Sequence, residues 1–82
     1  MLFLPLKKRL IKYLETKNIV KQFEKQRQLF EANPFYPSLY TKILKPKHFR
    51  IYSFRVTKKY RALFVYRGSD TIEIVEINDH YK

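Results

Sequence analysis

Cysteine and tryptophan are absent from the 82 residues, and Gly68 is the only glycine. Without cysteine there is no disulfide and no thiolate metal site, and nothing calls for an oxidising compartment. Repeats, low-complexity tracts and Gly/Ser linkers are missing too, so residues 1–82 read as one domain. No run approaches the roughly 20 apolar residues needed to span a bilayer. The opening Met1-Leu2-Phe3-Leu4-Pro5-Leu6-Lys7-Lys8-Arg9 puts its apolar residues before its charges, the reverse of a secretory signal. The expectation is a cytoplasmic protein without a membrane partner. Two histidines distant in sequence and scattered carboxylates make no ligand set, so neither a metal nor another cofactor is expected.

Acid is the scarcest chemistry. Seven Asp and Glu stand against eighteen Lys and Arg, a formal charge of +11. No acidic residue lies between Glu31 and Asp70, whereas Lys42, Lys45, Lys47, Arg50, Arg55, Lys58, Lys59, Arg61 and Arg67 all fall there. A solvated charged face usually mixes its signs. This one does not, and it points to a polyanion, an acidic protein partner, or both. The remaining composition is that of a folded domain, with 45% hydrophobic residues. So short a domain buries a modest share of its surface and gains from a partner that stabilises it.

Residues 1–5 read as a short edge strand ended by Pro5. From Leu6 the pattern turns helical: Leu6, Leu10, Tyr13 and Leu14 form one apolar stripe, with Lys7, Lys8 and Lys12 off it. Asn18 is a candidate cap for a second helix, whose apolar face carries Val20, Phe23, Arg27 and Phe30. Asn33-Pro34 ends that helix, because proline disfavours a helical residue before it. After the connection Pro34-Phe35-Tyr36-Pro37-Ser38 the period switches to two. Segments 49–56, 60–67 and 71–77 are rich in Ile, Val, Phe and Tyr, as strands are. They are separated by Thr57-Lys58-Lys59 and Gly68-Ser69-Asp70, breaks short enough for antiparallel hairpins. The fold class expected is α+β, an N-terminal helical hairpin packed on an antiparallel sheet of about four strands.

Alternation assigns the faces. Tyr52, Phe54 and Val56 point toward the helices, leaving Ile51, Ser53 and Arg55 on the open side. If Tyr60, Ala62 and Phe64 also face the helices, Arg61 joins Arg55 on that side. Lys45, Lys47, Arg50, Lys58 and Lys59 suit phosphate positioning, which fixes a backbone without reading its sequence; His48, near Lys45 and Lys47, is a further RNA-binding candidate whose competing reading is a loop histidine. Lys58-Lys59 also fits a merely solvated hairpin tip.

The ordered set Asn33-Pro34-Phe35-Tyr36-Pro37-Ser38-Leu39, Lys42-Ile43-Leu44, Ile51-Tyr52-Ser53-Phe54-Arg55-Val56 and Tyr60-Arg61-Ala62-Leu63-Phe64 resembles the RelE/ParE superfamily. So does the ending Asp70-Thr71-Ile72-Glu73-Ile74-Val75-Glu76-Ile77, followed by Asp79-His80. The resemblance spans nearly the whole chain. It implies a toxin of a type II toxin–antitoxin module, held inactive by a cognate antitoxin protein. Its RelE-like branch implies a ribosome-dependent mRNA endonuclease that arrests translation and growth. The alternatives are a ParE-like DNA gyrase inhibitor and a catalytically inactive module that binds RNA or the ribosome.

Metal-free RNA cleavage needs a group that activates the ribose 2′-hydroxyl, a cation for the phosphate in flight, and an acid for the leaving oxygen. Arg55 and Arg61 match positions where RelE-like enzymes carry basic catalytic residues, and a guanidinium fork suits phosphate. The competing reading is that each pairs with Glu73 or Glu76. His80 is the candidate acid or base, since imidazole titrates near neutrality, and Tyr81 completes a His-Tyr ending seen in several members. The competing reading there is an idle terminus. Ser53 departs from the pattern, standing where some relatives carry a lysine or glutamate base.

Overall fold

The computed structural model describes residues 1–79. Chain order is β1 (Leu2–Phe3), α1 (Lys8–Thr16), α2 (Val20–Ala32), β2 (Lys42–Ile43), β3 (Tyr52–Arg55), β4 (Arg61–Tyr66) and β5 (Thr71–Asn78). One 3-10 turn, Pro37–Leu39, precedes β2, and another, Lys47–Phe49, precedes β3. The strands form a single sheet in the order β1-β5-β4-β3-β2, so the sheet has five strands rather than about four. β1 runs parallel to β5, and every other pair is antiparallel.

The link between the helices differs from the expectation. Asn18 does not cap α2. It sits at φ 58°, the left-handed conformation that Asn tolerates better than most residues. There it closes α1: the Asn18 amide donates to Glu15 O and the Ile19 amide to Leu14 O, both at 3.0 Å. These paired bonds meet the carbonyls left open at a helix end. The reversal buries Ile19 and leaves Val20 41% exposed. It is therefore Ile19, not Val20, that joins Phe23 and Phe30 in the core. Arg27 lies beside the core, ion-paired with Glu24 at 2.9 Å and Glu31 at 3.2 Å.

The assigned strand faces hold. Phe54 meets Phe23 and Phe30 at centroid distances of 6.2 and 5.3 Å, Phe64 meets Phe30 at 5.1 Å, and Phe3 closes edge-on over Phe30 at 5.5 Å. Such offset and T-shaped contacts suit the aromatic quadrupole. Tyr60 packs against Tyr13 of α1 at 6.1 Å. The helices thus cover one side of the sheet. On the other side, Tyr40, on the segment before β2, lies against the sheet.

An arginine pair on the open face

Antiparallel register places Arg55 of β3 directly opposite Arg61 of β4. Directly opposed residues share a face, so both guanidinium groups leave the sheet on the side away from the helices. The same register sets Lys42 of β2 against Ser53. Two residues further along, it brings Tyr40 beside Arg55. The open face therefore carries a row Tyr40, Arg55, Arg61, Asn78 and, next to it, a row beginning Lys42, Ser53.

Tyr40 organises the pair. It takes the left-handed conformation at φ 48° after the Pro37–Leu39 turn. Its ring lies under the Arg55 guanidinium, 4.1 Å from centroid to Cζ, a cation–π contact. Its carbonyl accepts from Arg61 Nη1 at 3.4 Å. One residue thereby holds both arginines. Arg61 lies on the expected face but is only 4% exposed, because this segment folds over it.

Behind the pair, Gln26 of α2 is 7% exposed. Its Nε2 donates to Arg55 O at 2.8 Å and to Ser38 O at 3.2 Å. The helical hairpin is thus tied to the end of β3 and to the turn that carries Tyr40. Neither Gln26 nor Lys42 was singled out from sequence. Strand parity after Ile43 would have pointed to Lys42; no local signal marks Gln26.

The carboxylates proposed as competitors for the arginines are engaged elsewhere. Glu73 pairs with Arg67 at 2.8 Å and Glu76 with Arg9 at 3.1 Å. Ser53 Oγ and Arg55 Nε are buried with no hydrogen-bond partner among the described residues. Like charges set directly across a ladder are unfavourable by a fraction of a kcal/mol up to about 1 kcal/mol.

The other candidates divide between two ends of the sheet. Lys58 and Lys59 occupy the β3–β4 turn, immediately beyond the Arg55–Arg61 pair, and Thr57 Oγ1 closes that turn by accepting from the Lys59 and Tyr60 amides. Lys45, Lys47, His48 and Arg50 lie exposed before β3, at the opposite end, with the His48 and Phe49 rings 4.5 Å apart. A strand rise of about 3.4 Å per residue separates the two ends of β3 by roughly 10 Å. The basic residues therefore form two groups along one sheet. His80 and Tyr81 lie outside the described residues. Among those described, no group of His, Asp and Glu could hold a metal ion, and no helix is long and apolar enough to cross a membrane.

Neither a family model nor a curated protein sequence matches the chain. Solved structures do. A YoeB/ParE toxin from Agrobacterium tumefaciens superposes with a TM-score of 0.72 at 17% identity, covering 98% of this chain and 96% of that one. The YoeB–YefM complex from Staphylococcus aureus gives 0.69 at 22% identity, over 98% and 94%. A heterotetrameric YoeB–YefM toxin–antitoxin complex from the same organism gives the same values. The α+β fold is theirs, as the resemblance in the sequence implied.

Proposed function

We propose that this chain is the toxin of a type II toxin–antitoxin module and that it cleaves messenger RNA on the ribosome without a metal. The observation that carries the reading is the opposed Arg55–Arg61 pair, held by Tyr40 on the one sheet face the helices leave open. In the step envisaged, a ribose 2′-oxygen attacks the adjacent phosphorus and the bond to the 5′-oxygen breaks. The products are a 2′,3′-cyclic phosphate and a 5′-hydroxyl. Arg55 and Arg61 bind the non-bridging oxygens as negative charge gathers on them. Lys42, opposite Ser53, adds a third cation. His80 is assigned the proton transfers, with Tyr81 assisting. Lys58 and Lys59 steer the strand from the adjoining turn, and Lys45, Lys47, His48 and Arg50 hold it at the far end.

The antitoxin partner has a seat in this reading. A groove of about 390 Å³ between β1 and the two helices is lined by Leu4, Leu6, Ile11, Val20 and Phe23. Leu4, Ile11 and Val20 are exposed there. A partner with an apolar stripe would cover it.

The test is to map transcript 5′ ends after brief induction of the wild type, Arg55→Ala and Arg61→Met. Methionine keeps the volume that buried Arg61 fills, so loss of activity is separated from loss of folding. We expect new 5′ ends inside translated frames for the wild type, and cutting reduced roughly 100-fold or more in either variant. Full cutting by both variants would remove the arginines from the mechanism. Intact transcripts together with inhibited supercoiling by purified gyrase would replace the nuclease with a ParE-like effector.

A further inference from the structure

A second cleft adjoins the arginine pair on the side of α2. β2 pairs with β3 only at Tyr52 and Ser53, so Arg55 at the end of β3, and Val56 and Thr57 after it, have no strand beyond them. The gap is a cleft of about 400 Å³, within the roughly 300–1,000 Å³ range of small-ligand sites. Gln26 forms its floor, tied down by its bonds to Arg55 O and Ser38 O. Gln22 lies three residues before Lys25 and four before Gln26 on α2, spacings that set it beside both, and Gln22 and Lys25 are exposed. Tyr40, Arg55 and Thr57 make the opposite wall.

The chemistry of this lining is selective. It holds two cations and no carboxylate. Gln22 brings both amide donors and an acceptor; the Thr57 oxygen already accepts from two amides and keeps a hydroxyl proton to donate. Tyr40 is 56% exposed and offers an aromatic edge or face beside them. By contrast, the groove at Leu4 and Ile11 is apolar and includes Glu15 and Glu24, a poor lining for a polyanion. Arg55 belongs to both the cleft and the arginine pair, so whatever occupies one is a short step from the other.

We infer that this cleft holds one nucleotide of a single-stranded RNA, the neighbour of the phosphate bound by Arg55 and Arg61, and reads its base through Gln22 and Lys25. The inference rests on the nuclease reading and adds a base preference to it. Phosphate contacts carry no sequence information. A preference must come from groups that touch base edges, and an unpaired base displayed to amide and ammonium donors is how single-stranded RNA is commonly read. The amide of Gln22 and the ammonium of Lys25 both donate, which favours a base presenting acceptors on its edge.

The test uses the full chain and ribosomes programmed with a reporter mRNA randomised around one cut site. Wild type, Gln22→Ala, Lys25→Ala, the double variant and the charge control Lys12→Ala are compared. Binding of a fluorescein-labelled single-stranded RNA hexamer is measured in parallel. Both target side chains are exposed, and thermal melting checks that the variants are folded. The expected wild-type result is a preference of roughly tenfold at one position beside the cut, flattened in the double variant and kept in Lys12→Ala. Cutting by the double variant with the wild-type preference, or a wild type indifferent to its neighbours, would overturn the cleft assignment alone. A wild type that neither cuts nor binds RNA would overturn the nuclease reading together with it.

Discussion

The two faces of the sheet obey different rules. On the helix side, Phe54, Ala62, Phe64, Ile72, Ile74 and Ile77 are all buried in one apolar cluster with residues of α1 and α2. On the open side, Ser53 and Arg61 are just as buried, yet one has a hydroxyl with no partner among the described residues and the other faces a second arginine. Burial is thus not the quantity that separates them. The helix side buries groups that gain by leaving water. The open side also withholds polar and charged groups from water, which costs free energy unless they are hydrogen-bonded or paired. In one small domain, the first face must supply the stability that the second draws down.

The comparison predicts unequal responses to mutation. Phe54→Ala should have the largest effect. It empties a site ringed by Phe3, Phe23, Phe30 and Phe64, and such truncations cost about 3–5 kcal/mol. For a domain of this size, that lowers the melting temperature by at least about 12 °C. A shift of only a few degrees in a calorimeter would mean that Phe54 does not anchor the core. Gln26→Leu should come next, at about 1–3 kcal/mol, because it strands the carbonyls of Arg55 and Ser38 while preserving apolar bulk. It should also slow RNA cutting more than its melting temperature explains, since it frees the turn that carries Tyr40. Equal stability and equal rate would show that the two faces are not coupled through this amide. Ser53→Ala should move the other way. It removes a buried hydroxyl with no partner among the described residues, so urea unfolding should show no loss and a gain of up to about 1 kcal/mol. A clear destabilisation would reveal a bond that this hydroxyl makes.

Much of the helix side was legible in the sequence because it depends on period alone. Tyr52, Phe54, Val56, Tyr60, Ala62 and Phe64 alternate in and out whatever their neighbours do. β2 was not legible, since two residues set no period and Lys42–Ile43 is held by register rather than by its own propensity. Asn18 deceived because the residue type that caps a helix start also tolerates the left-handed close of a helix end. Of the site, the faces of Arg55 and Arg61 were readable, but the burial of Arg61 was not. It follows from the chain reversing at Tyr40, which has no glycine to announce it. Gln26 was hidden for a related reason. A glutamine on an otherwise solvated stretch of α2 becomes a buried clamp only once the Pro37–Leu39 turn has docked beneath it.

The smallest effect expected is one of pH, and it belongs to the helix side. Burial pushes the Tyr66 phenol above its ordinary value near 10, and neighbouring Tyr52 adds to the shift. Burial raises Tyr13 in the same direction, followed by Asp79, Tyr60 and Glu76. Both tyrosines must stay neutral in the fold but ionise more readily in the unfolded chain. Their contribution is therefore complete below the ordinary value near 10 and is lost as pH climbs through the raised folded values. The wild type alone would mix this contribution with every other effect of alkali on a +11 chain. The difference between wild type and Tyr66→Phe isolates one phenol. Measured by urea midpoints, it should stay constant from pH 7 to about 9.5, then shift in favour of the phenylalanine variant by pH 11. A difference that stays flat over the whole range would show that Tyr66 ionises as easily in the fold as out of it.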